Sequence, residues 1–330
     1  MKKCTITMVD QKQNYDKAIS ILEQNGIHAV WEKRIANSQD PQVVSGYCCD
    51  SEYIINGVET WNREVIEACP NLKLIVRYGV GYNNIDLQAA TENGVAVAYL
   101  PGMNAQAVAE HAVMLMMATL RKLGYMNNML HKGYYKEANE LTPQFNEQTV
   151  GILGCGRIGK EVCKMLYGFS CRVIAYDVYH DDAFAKKYHI EYVSAEELMQ
   201  QADIITVHVP VLPETIHMIN KKSIATMKDG VIIINTSRGD TVCSQDLYDA
   251  LKNGKVAGAG LDVYEDEGNV SPHKLFINME QVILTPHVSA STFETYERMI
   301  NQSVQLINRF EKGEDISKWL LNPNYKNYLR

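Results

Sequence analysis

Short apolar blocks separated by polar, turn-forming residues run along the first hundred positions of this chain. Thr5 to Val9 reads as a strand, and Tyr15 to Gln24 as a helix stopped by Asn25-Gly26. Strand patterns follow at Ile27 to Trp31, Glu52 to Asn56, Leu72 to Arg77 and Val95 to Tyr99. Helical patterns at Asn62 to Cys69 and Asp86 to Glu92 lie between them, closed by Pro70 and by Asn93-Gly94. Alternation at this pace predicts a parallel sheet covered by helices. Tyr78-Gly79-Val80-Gly81 follows a strand directly, so it belongs at a carboxyl-end rim, where open α/β sheets bind ligands.

The pattern then changes. Asn104 is an N-cap candidate for a long helix reaching about Leu123, with Val108, Ala112, Leu115, Met116, Thr119 and Leu123 on one apolar face. Met114 and Met117 widen that face and predict burial on two sides. His131 to Gln148 is polar and reads as a connecting loop. Apolar runs resume at Thr149 to Leu153, Val173 to Tyr176, Ile204 to Val209, Val231 to Asn235, Val256 to Leu261 and Val282 to Thr285. Six runs match a doubly wound nucleotide domain. Asn301 to Phe310 belongs to a last helix.

The first of those six runs enters Gly154-Cys155-Gly156-Arg157-Ile158-Gly159 and leaves into a helical pattern. Strand, glycine turn and helix together place free N–H groups where a pyrophosphate sits. Gly154 allows the turn, Gly156 lets phosphate approach, and Gly159 lets the helix pack close to the strand. Asp177 ends the next strand, placed to accept hydrogen bonds from ribose hydroxyls and to repel a 2′-phosphate. NAD, not NADP, is the expected cofactor.

Bulk properties change little in this picture. A chain of 330 residues fits two domains. A net charge of −7 argues against nucleic acid as the main partner, and no apolar run has membrane-spanning length. The expectation is a cytoplasmic protein. Eight cysteines without C-x-x-C spacing imply reduced thiols and no metal.

Candidate chemistry gathers at strand ends. His208 ends the Ile204 run, Thr236-Ser237-Arg238 follow the Val231 run, Asp262 follows the Val256 run, and His287 follows Thr285-Pro286. Parallel strands would bring all of them to the glycine rim. A cation, a carboxylate and a histidine beside a nicotinamide suit hydride transfer to a 2-oxo acid. Arg238 would hold the carboxylate and polarise the carbonyl, because guanidinium matches carboxylate bidentately. His287 would deliver the proton, and Glu267 would orient the ring and stabilise imidazolium. Val80 and Gly81 amides would grip the substrate carboxylate. His208 reads as a positioning residue, not an acid.

These pieces resemble the D-isomer-specific 2-hydroxyacid dehydrogenases over nearly the whole chain. The motifs run in family order: Arg77 to Asp86, Ala109-Glu110-His111, the glycine turn, His208-Val209-Pro210, Asn235 to Gly239, Gly260 to Tyr264, and Thr285-Pro286-His287. The resemblance implies two Rossmann-like domains, doubly wound parallel sheets with an active-site cleft between them. Residues 1–102 plus 291–330 would bind substrate, through Arg77, Tyr78, Gly79, Val80 and Gly81. Residues 103–290 would bind NAD and form a homodimer. It implies that Arg238, Glu267 and His287 are catalytic. Cofactor contacts would come from Gly154, Gly156, Arg157, Ile158, Gly159, Asp177, His208, Val209, Pro210 and Thr215. Thr236, Ser237, Arg238, Asp262, His287, Ser289 and Ala290 would complete them, with Asp262 on the nicotinamide carboxamide.

Some positions depart from the family. Gly268 replaces the usual proline after the glutamate, which leaves Glu265 as an alternative to Glu267. Asn56 to Thr60 stands where phosphoglycerate enzymes carry an Arg-Ser pair, and no aromatic pair follows His287. The substrate positions suggest a polar or anionic substituent. A second reading is an NAD-sensing binding protein of corepressor type on the same scaffold. Loss of Arg238 or His287 would favour it, and both are present. A methyltransferase is disfavoured by the six strands and the rim residues, and a formate enzyme by Glu267 where glutamine would stand.

Overall fold

The computed structural model describes residues 2–8, 15–35, 38–265, 267 and 272–328. They form two compact units, 1–104 with 293–330, and 105–292.

The first unit begins with β1 (Lys2–Ile6), α1 (Asp16–Gln24) and β2 (Ile27–Trp31). Then come α2 (Pro41–Cys48), β3 (Tyr53–Asn56), α3 (Arg63–Glu67), β4 (Leu74–Arg77), α4 (Leu87–Glu92) and β5 (Ala96–Ala98). The strands are parallel in the order β2-β1-β3-β4-β5. Polar side chains start the helices: Asp40, Asn62 and Asp86 each accept a backbone N–H of the first turn. The sheet is apolar on both faces. Ile6, Ile55, Leu74 and Val76 pack in one cluster, and Ile54, Ile75 and Val97 in another. Each such side chain contributes about 1.5–3 kcal/mol on leaving water.

The second unit opens with α5 (Ala105–Leu120) and α6 (Leu123–His131), then β6 (Thr149–Leu153), α7 (Arg157–Tyr167) and β7 (Arg172–Tyr176). It continues through α8 (Asp182–Tyr188), β8 (Ile190–Tyr192), α9 (Ala195–Gln201) and β9 (Ile204–Val207). It closes with α10 (Lys221–Thr226), β10 (Val231–Asn235), α11 (Ser244–Lys252), β11 (Val256–Leu261) and β12 (Val282–Leu284). Its sheet is also parallel, in the order β12-β11-β10-β9-β6-β7-β8. The chain then returns to the first unit as α12 (Phe293–Glu311), whose Met299, Val304, Leu306 and Ile307 join the first core.

Several elements differ from the sequence pattern. The sheet of the second unit has a seventh strand, β8, because Ile190-Glu191-Tyr192 is too short to register as an apolar run. The long helix stops at Leu120, where Lys122 adopts a left-handed conformation (φ 49°), and α6 starts anew. Asn104 precedes α5, but its side-chain oxygen has no hydrogen-bond partner among the described residues, so it does not cap. Asp40-Pro41 starts α2 where no helix was expected, since Pro suits the first helical position. β1 ends at Ile6, Val9 lies outside the described residues, and α12 begins well before Asn301.

Candidate active site

The glycine turn has the shape that its spacing predicts. Gly154 takes φ +95°, which L side chains rarely adopt, and a Cβ there would lie 2.8 Å from the His208 carbonyl carbon and the Val209 nitrogen. A Cβ on Gly159 would meet the Gly154 carbonyl oxygen at 2.2 Å, so glycine is what allows α7 to seat against β6. At Gly156 the same test meets nothing within 4 Å, an open approach at the start of α7. Arg157 and Ile158 form the first turn of α7, whose free N–H groups favour an anion. Asp177 follows β7 and accepts the Tyr179 amide at 3.0 Å.

His208 ends the neighbouring strand, with Nε2 2.9 Å from the Thr206 hydroxyl and Nδ1 without a partner among the described residues. Burial pushes its pKa down to about 3, so the ring is neutral at working pH and cannot serve as the acid. Val209 is buried, and the Thr215 hydroxyl closes the following loop by donating to the Pro210 carbonyl at 2.6 Å.

β10, β11 and β12 are parallel to β9, so their carboxyl ends share its rim. Asn235 shapes the β10 exit: its amide donates to the Arg238 carbonyl at 2.9 Å, and its oxygen accepts the Ser237 amide at 3.0 Å. Thr236 is buried, and its hydroxyl has no partner among the described residues. The Arg238 guanidinium donates from Nη1 to the Ser237 carbonyl at 2.7 Å, and its charge helps keep Glu267 ionised.

Glu267 and His287 meet directly. Glu267 Oε2 lies 2.7 Å from His287 Nδ1, while Oε1 accepts the Tyr264 amide at 3.0 Å. Although burial raises its pKa, the hydrogen bond and charge of His287, the Tyr264 amide and Arg238 together hold Glu267 below the ordinary carboxylate range. Glu265 is engaged elsewhere: it accepts the Ser244 amide at 2.6 Å and faces His217 Nε2 at 2.6 Å. Of the two candidate carboxylates, Glu267 is the one on the histidine. Asp266 and Gly268 lie outside the described residues.

His287 itself is bent into the left-handed region (φ 53°), a strained position for a residue with a side chain. Asp262 holds the turn around it. This fully buried carboxylate accepts the Thr285 hydroxyl at 2.5 Å and the Val288 and Ser289 amides, each at 2.9 Å. Those donors keep it ionised against the burial that opposes them. His111 of α5 reaches the Thr285 hydroxyl at 3.0 Å. In the sequence His111 stands out only as part of a motif, and nothing there gives Asp262 a bracing role. A histidine on a largely apolar helix, next to Glu110, was the available signal.

In the first unit, Arg77 ends β4 and its Nη1 donates to the Tyr78 carbonyl. The Tyr78 ring is buried, with its hydroxyl on the Tyr296 carbonyl at 2.9 Å, so its side chain serves the core. Gly79 (φ +144°), Val80 and Gly81 follow at the carboxyl end of β4 in the same unit.

This second sheet carries an anion-ready helix start after β6 and a paired histidine and carboxylate after β11 and β12, all at the carboxyl ends of its parallel strands, the layout of a dinucleotide-binding fold. Residues 113–289 match the family model described as D-isomer specific 2-hydroxyacid dehydrogenase, NAD binding domain. The chain is 38% identical over 257 residues to a glyoxylate reductase of Korarchaeum cryptofilum, covering 77% of each chain. It is 33% identical over 305 residues to a hydroxypyruvate reductase of Blautia hydrogenotrophica, covering 90% of this chain and 94% of that one. A D-lactate dehydrogenase of Aquifex aeolicus, solved with NAD and lactic acid, superposes with a TM-score of 0.84 at 29% identity, over 96% of this chain and 98% of that one. The chain belongs to the D-isomer-specific 2-hydroxyacid dehydrogenase family. It is an NAD-dependent oxidoreductase with two Rossmann-like domains.

The rim residues fit that cofactor. Gly156 leaves room for phosphate, and the buried Thr236 hydroxyl and His208 Nδ1 offer polar atoms with nothing yet to bind. Among the described residues no helix is long and apolar enough to cross a membrane, and no group of His, Cys, Asp or Glu is arranged to hold a metal.

Proposed function

We propose that the chain interconverts a 2-oxo acid and its D-2-hydroxy acid, with Arg238, Glu267 and His287 as the reacting set. The observation that carries this is the 2.7 Å contact of Glu267 with His287 Nδ1. It leaves Nε2 as the ring nitrogen able to face a substrate. NADH, when bound, supplies the hydride that reaches the carbonyl carbon. His287 gives its Nε2 proton to the oxygen, and Glu267 offsets the charge that the ring carries beforehand. Arg238 binds the substrate carboxylate and draws electron density from the carbonyl. Asp262 holds the turn that presents His287. Asp177 selects NAD by its charge at the ribose. The first unit takes the substrate through Arg77, Tyr78, Gly79, Val80 and Gly81.

NADH oxidation screened against glyoxylate, pyruvate, hydroxypyruvate, 2-oxoglutarate, phosphohydroxypyruvate, 2-oxoisocaproate and phenylpyruvate tests the reading. Turnover of at least one, with a D product by chiral chromatography, is expected. No turnover, or an L product, contradicts it. The second unit also supports a homodimer: α6 buries none of its residues and exposes Leu123 and Leu130. Light scattering should read twice the 37.3 kDa chain mass, and a monomer mass would refute the dimer.

A further inference from the structure

Two positions before Glu267, a second carboxylate meets a second histidine. Glu265 Oε1 lies 2.6 Å from His217 Nε2, and its Oε2 accepts the Ser244 amide at 2.6 Å. Although burial raises its pKa, the Ser244 hydrogen bonds and His217 hold Glu265 below the ordinary carboxylate range. An ionised carboxylate only accepts, so His217 donates from Nε2. The bond to Ser244 places a negative charge at the start of α11, which steadies that helix. One oxygen is enough for that duty. The bond to His217 serves something else.

His217 is anchored to the segment that follows Arg238. Its backbone is left-handed (φ 50°), and its amide donates to the Asp240 carbonyl at 2.8 Å. The Ile219 amide donates to the Thr241 carbonyl at 3.1 Å, and the Ile219 carbonyl accepts the Cys243 amide at 2.8 Å. Gly239 brings the same segment against the chain leading to Glu267. A Cβ there would lie 1.9 Å from the Tyr264 carbonyl carbon and 2.3 Å from the Glu265 nitrogen. Tyr264 in turn donates its amide to Glu267 Oε1 at 3.0 Å. Beyond Glu267 the sequence adds no stiffness, since Gly268 follows and glycine has the most backbone freedom to lose.

We propose that Glu265 and His217 are positioning residues: their contact ties the chain that carries Glu267 to the chain that carries Arg238, and so holds Glu267 on His287 Nδ1. They act through Glu267 and not on the substrate. Misplacing a catalytic group by about 1 Å costs up to roughly 10²-fold in rate, whereas an exposed ion pair such as this one adds little to stability. Turnover, not folding, is therefore where the contact is felt. The inference rests on the reading of Arg238, Glu267 and His287 as the reacting set.

The test compares His217→Leu, which keeps bulk and loses the donor, with His217→Gln, which keeps a side-chain N–H to offer Glu265. Both are measured with NADH and the fastest of the acids screened above, with and without Glu267→Gln. His217→Leu should lower kcat roughly tenfold at unchanged NADH affinity, and His217→Gln should stay within about threefold of the wild type. Beside Glu267→Gln the leucine penalty should vanish, because the group being positioned is gone. Wild-type kcat in His217→Leu overturns the proposal, as does a His217→Gln variant no better than His217→Leu. A penalty that persists in full beside Glu267→Gln also overturns it, since the pair then serves only α11 or the fold. If the wild type reduces none of the acids, the 2-oxo acid reading has failed by itself, and the His287 ring decides. In proton–nitrogen NMR of isotope-labelled histidines, the neutral His287 ring should carry its proton on Nδ1, where Glu267 accepts it. His217→Leu should move that ring toward the Nε2–H tautomer, and a His287 ring indifferent to the substitution refutes the positioning role.

Discussion

Replacing His287 with alanine should cut turnover by about 10²- to 10⁴-fold while leaving NADH affinity within a fewfold of the wild type. In the mechanism we propose the ring is the proton donor, and its removal leaves the glycine turn untouched. Gly154, Gly156 and Gly159 belong to β6 and α7, and His287 follows β12 at the far side of the same sheet. Steady-state kinetics would give the turnover, and quenching of protein fluorescence by NADH would give the affinity. A variant that still turns over at the wild-type rate would show that another group delivers the proton. The nearest other histidine among the strand-end residues, His208, is unsuited to the task, because burial holds it neutral. A loss of NADH binding as large as the loss of turnover would instead make His287 a cofactor contact first. The left-handed backbone at His287 sharpens this prediction. Alanine, like histidine, would carry a Cβ at φ 53°, so the position keeps its left-handed demand while the imidazole is removed.

Much of this site was legible because the physics that places it is local. A tight turn and a close helix each require glycine at a stated spacing, and Gly154 and Gly159 answer both, with open space at Gly156 between them. The strand-end residues were legible for a related reason: apolar runs of a parallel sheet end on one rim, which gathers Arg238 and His287 there whatever their separation in the chain. The family resemblance favoured Glu267, but the residues by themselves left Glu265 as an alternative. Two acids two positions apart look alike until His217 and the Ser244 amide take one and His287 takes the other. Asp262 was read as a cofactor contact, and its three loop donors add a structural duty that only tertiary proximity reveals. The short strand β8 and the break between α5 and α6 escaped notice because three residues carry too little periodicity, and because a lysine in the left-handed region leaves no compositional mark.

The dyad of Glu267 and His287 is the centre of the account, and turnover in Glu267→Gln probes it most directly. On the proposed mechanism His287 gives up a proton, and a charged Glu267 2.7 Å from Nδ1 orients the ring and offsets its charge. Glu267 is held below the ordinary carboxylate range, chiefly by His287, the Tyr264 amide and Arg238 acting against its burial. Removing that charge in the isosteric Glu267→Gln should therefore lower kcat by on the order of a hundredfold while NADH affinity stays within a fewfold of the wild type. A Glu267→Gln variant that keeps the wild-type kcat would contradict the assignment of this pair as the proton-delivering unit.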